Sequence, residues 1–470
     1  MSSAPPPLKT LPKGKLAALA QLTSNDAAVQ KLKSEATAST FFDRHSPAVR
    51  KRRETTRAEF ELIMSSIFPS EPLWDLSTIT EKTKIYLSTV IQIAKGRIDQ
   101  LPRTDLLYQR KEAIYWWAMR MIPKFPTVLV NWQMLTNAHI GYLGVTMGLS
   151  REHRKKRNLT DAELEVLFEG VMSKTSSTAN LKQHYLAWLL IWTCSARPGS
   201  FTVCPGYEEG SDLGTGMNRM EDETLRWSDV EFMRVDDAVC VQINFRYTKG
   251  QRNPYTKKIS FGAKKFTFLP CTGNRYHLDL STVITAVALE RGLFHPIRSW
   301  SELRATELFV ITKDAKVNRQ AVFLASDVGR NQLLPEKPMR EAALNPVLKA
   351  ISTDVGLWER NTTYSLRRTA IVETRRLEGT EFAQQLAGHI PGSTTIYAYD
   401  DSPLSDVDMT ALRLGEQGMS REDIRKTFSQ MNTARIDNTA GLRAELKEFV
   451  EAEMRAHERY IHAEKLLDDR

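Results

Sequence analysis

Apolar residues recur at helical spacing through most of this chain, and the places where the pattern breaks divide it into segments. From residue 41 to 149 the period is that of amphipathic helices. Phe60, Ile63, Met64 and Ile67 share one face, Ile85, Thr89 and Ile93 another, and a third run covers the apolar residues between Ala113 and Met121. Residues 1–40 are rich in Ala, Ser, Pro, Lys and Thr without periodic apolar positions, which predicts a flexible arm. Residues 150–158 are polar and strongly basic, the composition of an interdomain linker. Thr160 then stands three residues before Glu163, a capping-box spacing that opens a helix and with it a second globular segment, 159–401. That segment reads as helices to about residue 200, strands over 238–247 and 258–268, and helices again to about 400. The fold class predicted is mainly α with a small antiparallel β-sheet. In the tail, 402–470, Leu442, Leu446, Phe449, Val450 and Met454 recur at helical spacing among charges, which predicts a helix facing another subunit.

With 470 residues the chain is long enough for two or three domains. Its 41% hydrophobic and 26% charged residues are those of a globular protein. No apolar run approaches the roughly 18 residues a membrane span needs, so no membrane partner is expected. The start of the chain has no hydrophobic segment of the secretory kind, which predicts an intracellular protein. Cys194, Cys204, Cys240 and Cys271 form neither a disulfide framework nor a metal-binding pattern. The net charge is +9 and the basic residues cluster: Lys51, Arg52 and Arg53; Arg154, Lys155, Lys156 and Arg157; Lys264 and Lys265. Such clusters suit a polyanion, because each phosphate contact releases condensed counterions. Solvated basic surface has the same composition, so the argument for nucleic acid rests on the chemistry the second segment carries.

Breaking a phosphodiester through a covalent intermediate requires a nucleophile, cationic donors for the phosphoryl oxygens and an acid for the leaving hydroxyl. Arg197 lies in CSARPGS, just after the apolar stretch Leu186 to Thr193, where Pro198-Gly199 turns the chain; a guanidinium presented there is a bidentate phosphate ligand. Lys249 lies in RYTKGQRN at the bend between the two predicted strands, where a lysine can reach into a cleft. Tyr364 and Arg367 are three apart in TTYSLRRTA and so share a helix face. His389 follows in LAGHIPGS, and Tyr397 and Tyr399 close the series in STTIYAYDD.

Taken together, the order and local text of these residues resemble the tyrosine recombinase and integrase family. Its catalytic domain presents an arginine after an early helix, a lysine on a β-hairpin, an HxLR-type motif, a GH motif and then the nucleophilic tyrosine. The resemblance covers about residues 158–400, with LTDAELEVL and LRWSDVEF as supporting fragments, and the helical segment 41–149 takes the place of that family's core-binding domain. It implies that Arg197 and Arg367 hold the scissile phosphate, Lys249 protonates the leaving 5′-hydroxyl, and His389 completes phosphate coordination. One of the two tyrosines forms a 3′-phosphotyrosyl link, and because the link conserves bond energy no cofactor is implied. Three departures stand out: Tyr364 replaces the motif's histidine, Ser200 replaces an acidic residue often found three positions after the first arginine, and the nine-residue step from His389 lands on Ala398, between the tyrosines. Tyr397 is favoured over Tyr399, with both kept as candidates.

The YxLR motif and the long tail look most like eukaryotic mobile-element recombinases of the fungal captain and crypton types. On that resemblance the protein is a DNA recombinase or transposase acting in a nucleus. Its partner is double-stranded DNA, gripped by both domains with Lys51 to Arg53 and Arg154 to Arg157 as contacts, and it works as a homo-oligomer. A type IB topoisomerase-like enzyme and a catalytically silent DNA-binding protein of the same fold are the alternative readings.

Overall fold

The computed structural model describes residues 24–39, 45–95, 102–150, 158–174, 178–211, 219–235, 238–248, 264–271, 273–307, 309–327, 332–357, 361–389 and 392–399, with the single residues 21, 329 and 413. They form two compact units, the chain dividing between Arg154 and Lys155. Among the described residues no helix is long and apolar enough to cross a membrane.

The first unit is helical: α1 (Asp26–Ser39), α2 (Pro47–Ile67), α3 (Ile79–Ile93), α4 (Thr104–Met121) and α5 (Leu129–Thr146). Part of the segment expected as a flexible arm is therefore the helix α1, while residues 1–20 lie outside the described residues. The aromatic core is built on Phe60, whose ring lies 4.9 Å from Trp74 and 5.5 Å from Tyr86, and on Phe125 against Trp132 at 5.4 Å. Helix α3 corrects one expected face. It buries Ile79, Thr83, Tyr86, Leu87, Val90 and Ile91, and leaves Ile93 exposed. Apolar residues occur all around this helix, so periodicity alone admitted more than one inward face, and packing against α2, α4 and α5 selected this one.

The second unit is built around α7 (Thr178–Cys194), which follows α6 (Asp161–Met172). The predicted capping interaction is present: the Glu163 carboxylate accepts from the Thr160 backbone N–H at 2.7 Å and from its hydroxyl at 3.1 Å. Helix α7 is apolar on nearly every side because it is covered on nearly every side; Trp188 and its neighbours Leu186 to Ile191 are buried. One polar residue in it, Gln183, acts as a stitch. Its amide donates to the Leu324 carbonyl at 2.8 Å and accepts from the Leu324 N–H at 2.9 Å, fixing a distant hairpin to the central helix.

Strands β1 (Val230–Val235), β2 (Ala238–Phe245) and β3 (Lys264–Phe268) form an antiparallel sheet in that order, with Val230 opposite Ile243 and Phe245 opposite Lys264. The expected strand over 238–247 is β2, and the described part of the second expected strand is β3; residues 258–263 lie outside the described residues. Strand β1 and a second hairpin, β4 (Leu324–Ser326) with β5 (Leu333–Pro338), were not anticipated, and the hairpin interrupts a stretch expected to be helical. Helices α8 (Leu280–Glu290), α9 (Trp300–Ala305), α10 (Leu344–Asp354) and α11 (Thr363–Ala387) complete the unit, α11 being broken at Gly379. The class, mainly α with small antiparallel sheets, is the one expected. The tail 402–470 lies outside the described residues except for Arg413.

Helices α6 and α10 approach closely at Gly170, where a Cβ would stand 2.4 Å from Val355 Cγ1 and 3.2 Å from Ile351 Cγ2. Gly170→Ala is therefore expected to destabilise the second unit by about 1–3 kcal/mol through overpacking. Adding Val355→Ala should recover part of the loss, which thermal denaturation of both variants checks.

Candidate active site

The site begins where α7 ends. Ser195 adopts a left-handed backbone, φ 53°, which for a residue with a Cβ costs about 1–2 kcal/mol. The turn it makes has two consequences. The Ser195 carbonyl is presented to Arg367 Nη1, which donates a short hydrogen bond to it, and two residues later Arg197 emerges at the entrance of a 3-10 turn, Pro198–Ser200.

Arg367 lies in the first part of α11, is 1% exposed, and its Nη2 donates to the Ala387 carbonyl at 2.7 Å. Arg197 Nη1 donates to the same oxygen at 3.2 Å. That oxygen belongs to the last turn of α11, which closes on Gly388 in the left-handed conformation, φ 66°, with the His389 N–H returning to the Gln384 carbonyl at 2.9 Å. The carbonyls left over at such an end carry partial negative charge and favour cations. A third cation uses them: Lys264, the first residue of β3, donates from Nζ to Gln385 O at 2.7 Å and Leu386 O at 2.9 Å. Burial, reinforced by Arg367 and Arg197, pushes the Lys264 amine down to about 8. Burial and Arg197 push Arg367 down to about 10, so it keeps its charge at neutral pH. Cys194 is buried beside them, and burial pushes its thiol up to about 12, leaving it inert.

His389 is buried, and its ring lies 5.4 Å from that of Tyr399. Tyr399 is half-buried and also lies under Arg367, whose guanidinium carbon is 5.9 Å from the phenol ring. The two candidate tyrosines thus occupy different places. A 3-10 turn, Thr394–Ala398, is capped by Ser393, and it is tied to α11 by Gln384 Nε2 donating to the Ser393 carbonyl at 2.8 Å. Residues three apart eclipse in this helix type. Ile396, buried against Ile371, Ala383 and Ala387, therefore carries Tyr399 inward with it. Tyr397 falls between them, is 54% exposed, and has Arg375 4.9 Å from its ring.

Of the residues singled out in the sequence, Arg197, Arg367, His389 and Tyr399 converge. Tyr364 is 51% exposed on the first turn of α11, while Arg367, one turn on, reaches into the interior. Lys249 lies outside the described residues, and among the described residues the lysine beside the arginines is Lys264, counted in the sequence only as part of a basic pair. Its signal was the alternation in KKFTF, where Lys264 shares a strand face with Phe266 and Phe268. Ser200, at the position of the missing acid, is buried, and Arg197 is held by a main-chain carbonyl instead.

In the first unit Lys51 and Arg52 are exposed on α2, and Arg53 is half-buried with its guanidinium carbon 4.9 Å from the Trp116 ring. Arg57 and Arg120 lie over Trp117 and Trp116 at 4.5 and 3.6 Å, so aromatic faces set the direction of three cations. Arg154, Lys155, Lys156 and Arg157 lie outside the described residues.

No protein-family model and no curated protein sequence matches this chain. Among solved structures it is similar to the XerH site-specific recombinase in a post-cleavage complex with a palindromic difH substrate, at 12% identity and a TM-score of 0.39, covering 78% of this chain and 80% of that one. It is similar to the Tn1549 transposon integrase bound to a circular intermediate DNA, at 11% identity and a TM-score of 0.34, over 72% and 87% of the two chains. A lambda integrase dimer bound to a COC′ core site gives 14% identity and a TM-score of 0.35, over 82% and 85%. These three solved structures are a site-specific recombinase and two integrases, each bound to DNA.

Proposed function

We propose that this protein cleaves and rejoins DNA strands as a site-specific recombinase, with Tyr399 as nucleophile. The observation that carries the reading is the convergence of Arg197, Lys264, Arg367, His389 and Tyr399, drawn from separate parts of the sequence, on the C-terminal end of α11. Arg197 and Arg367 hold the non-bridging oxygens of the scissile phosphate, and His389 completes its hydrogen bonding. The Tyr399 oxygen attacks phosphorus, the bond from phosphorus to the 5′-oxygen breaks, and Lys264 gives its proton to that oxygen. The phenol proton passes to solvent, which reprotonates the amine, so the step is balanced and leaves a 3′-phosphotyrosyl link and a free 5′-hydroxyl. Attack by the 5′-hydroxyl of a second strand reverses it. A tyrosine hydroxyl ionises near 10 in water, and the positive charge around Tyr399 favours the developing phenolate.

The wider reading keeps double-stranded DNA as the partner, with Lys51, Arg52, Arg53 and the run Arg154 to Arg157 as phosphate contacts. In it the protein mobilises a DNA element in a nucleus as a homo-oligomer, with the segment 402–470 at the subunit contact. Its support is the basic clustering and the apolar spacing of the tail.

The test is covalent capture. Duplexes selected by the protein from a randomised pool are rebuilt with a nick near the cleavage point, so that the short released strand diffuses away. The expected result is a denaturation-resistant adduct that yields a tyrosine-linked nucleotide on digestion. Tight binding without an adduct overturns the reading.

A further inference from the structure

We propose that the C-terminal end of α11 is the positioning element of this site: the carbonyls of Gln385, Leu386 and Ala387 gather its three cations, and the missing side chain of Gly388 provides the space that Lys264 occupies. The proposal rests on the cleavage reading given above and assigns a task to three main-chain carbonyls and a glycine.

Four hydrogen bonds from three cations meet at this end. Ala387 O accepts from both Arg197 and Arg367, and Gln385 O and Leu386 O accept from Lys264. Gathering three cations is costly, and carboxylates are the usual remedy. A carboxylate here would repel an incoming phosphate, whereas carbonyls at a helix end supply about half an elementary charge, enough to aim the cations without neutralising them. The cations therefore stay available to a dianionic transition state. The same arrangement accounts for Ser200, since Arg197 takes its support from Ala387 and needs no acid three residues on.

Gly388 meets two demands. Its φ of 66° allows the chain to turn so that the last carbonyls point at the cations. A Cβ at this position would stand 3.0 Å from Lys264 Nζ, 3.5 Å from Lys264 Cε and 3.7 Å from Arg197 Nη1. Of these neighbours the lysine amine is the free end of a flexible chain and gives way first, so a methyl group at 388 moves the proton donor and leaves the arginines nearly in place.

Gly388→Ala tests this beside a control, Gly292→Ala. Gly292 has a φ of 70° with nothing within 4 Å of its Cβ position, so it suffers the same backbone strain without displacing a side chain. Both variants should lose similar thermal stability and bind the selected duplex as wild type does. On an ordinary phosphodiester, Gly388→Ala should cleave about 100-fold more slowly, the low end of what a general acid contributes. On a duplex with a bridging 5′-sulfur, which leaves without a proton, its rate should return to within a few-fold of wild type. Lys264→Ala combined with Gly388→Ala should be no slower than Lys264→Ala alone, because both act through one group.

Wild-type cleavage of the oxygen substrate by Gly388→Ala overturns the proposal. So does equal loss on both substrates, which would mean that the phosphate clamp had collapsed. Failure of the wild-type protein to form an adduct on either duplex is a different result and overturns the cleavage reading itself.

Discussion

Tyr399→Phe is expected to abolish the covalent adduct on a nicked duplex, while Tyr397→Phe retains it. The two residues stand two positions apart at the end of a 3-10 turn, but the turn's period places only Tyr399 with the buried Ile396. Beside it stand His389 and Arg367, whose positive charge lowers the cost of forming a phenolate; Tyr397 is exposed, next to Arg375. Removing a nucleophile removes the covalent step, and losses of this kind reach about 10⁴-fold or more. Both phenylalanines preserve ring packing, so DNA binding and thermal stability should match wild type, and mass spectrometry of the trapped peptide identifies the linked residue. An adduct surviving Tyr399→Phe and lost with Tyr397→Phe would reverse the assignment and restore the tyrosine the sequence favoured.

Lys264→Ala is expected to slow cleavage of an ordinary phosphodiester by about 10²–10⁴-fold, the range for loss of a general acid. It should be nearly harmless with a bridging 5′-sulfur. The amine is held down to about 8 from an ordinary value of 10.5, so it keeps its proton at neutral pH and loses it as pH rises through about 8. For the wild-type protein kcat/KM on the oxygen substrate should therefore fall above about pH 8, and the sulfur substrate should lack that limb. Stability runs the other way. Between about 8 and 10.5 the unfolded chain holds this proton and the folded one has released it, so this group makes the protein more stable as pH rises through that window. Below about 8 both states hold the proton and the contribution is constant. Lys249→Ala is the necessary comparison. If its loss, and not that of Lys264, is rescued by sulfur, the hairpin lysine read from the sequence is the acid.

Local pattern along the chain marked many of the elements, though not β1 or the β4–β5 hairpin. Periodicity of 3.6 marked helices in both units, the spacing of Thr160 and Glu163 marked the start of α6, and the run from Ala238 to Tyr247 was legible as a strand, because these depend on residues within a turn or a strand of one another. The sequence also contained, in order, the arginines, the histidine and the pair of tyrosines. Order along the chain does not place side chains in space. Which tyrosine faces Arg367 was decided by the burial of Ile396, the place of Lys264 by its pairing opposite Phe245 in the sheet, and which face of α3 points inward by its neighbours. The support of Arg197 came from a carbonyl 190 residues away, for which no side chain in the sequence could be a sign. Main-chain oxygens are present in every residue, so only the fold, by ending α11 at Gly388 against the end of α7, made three of them a cation site.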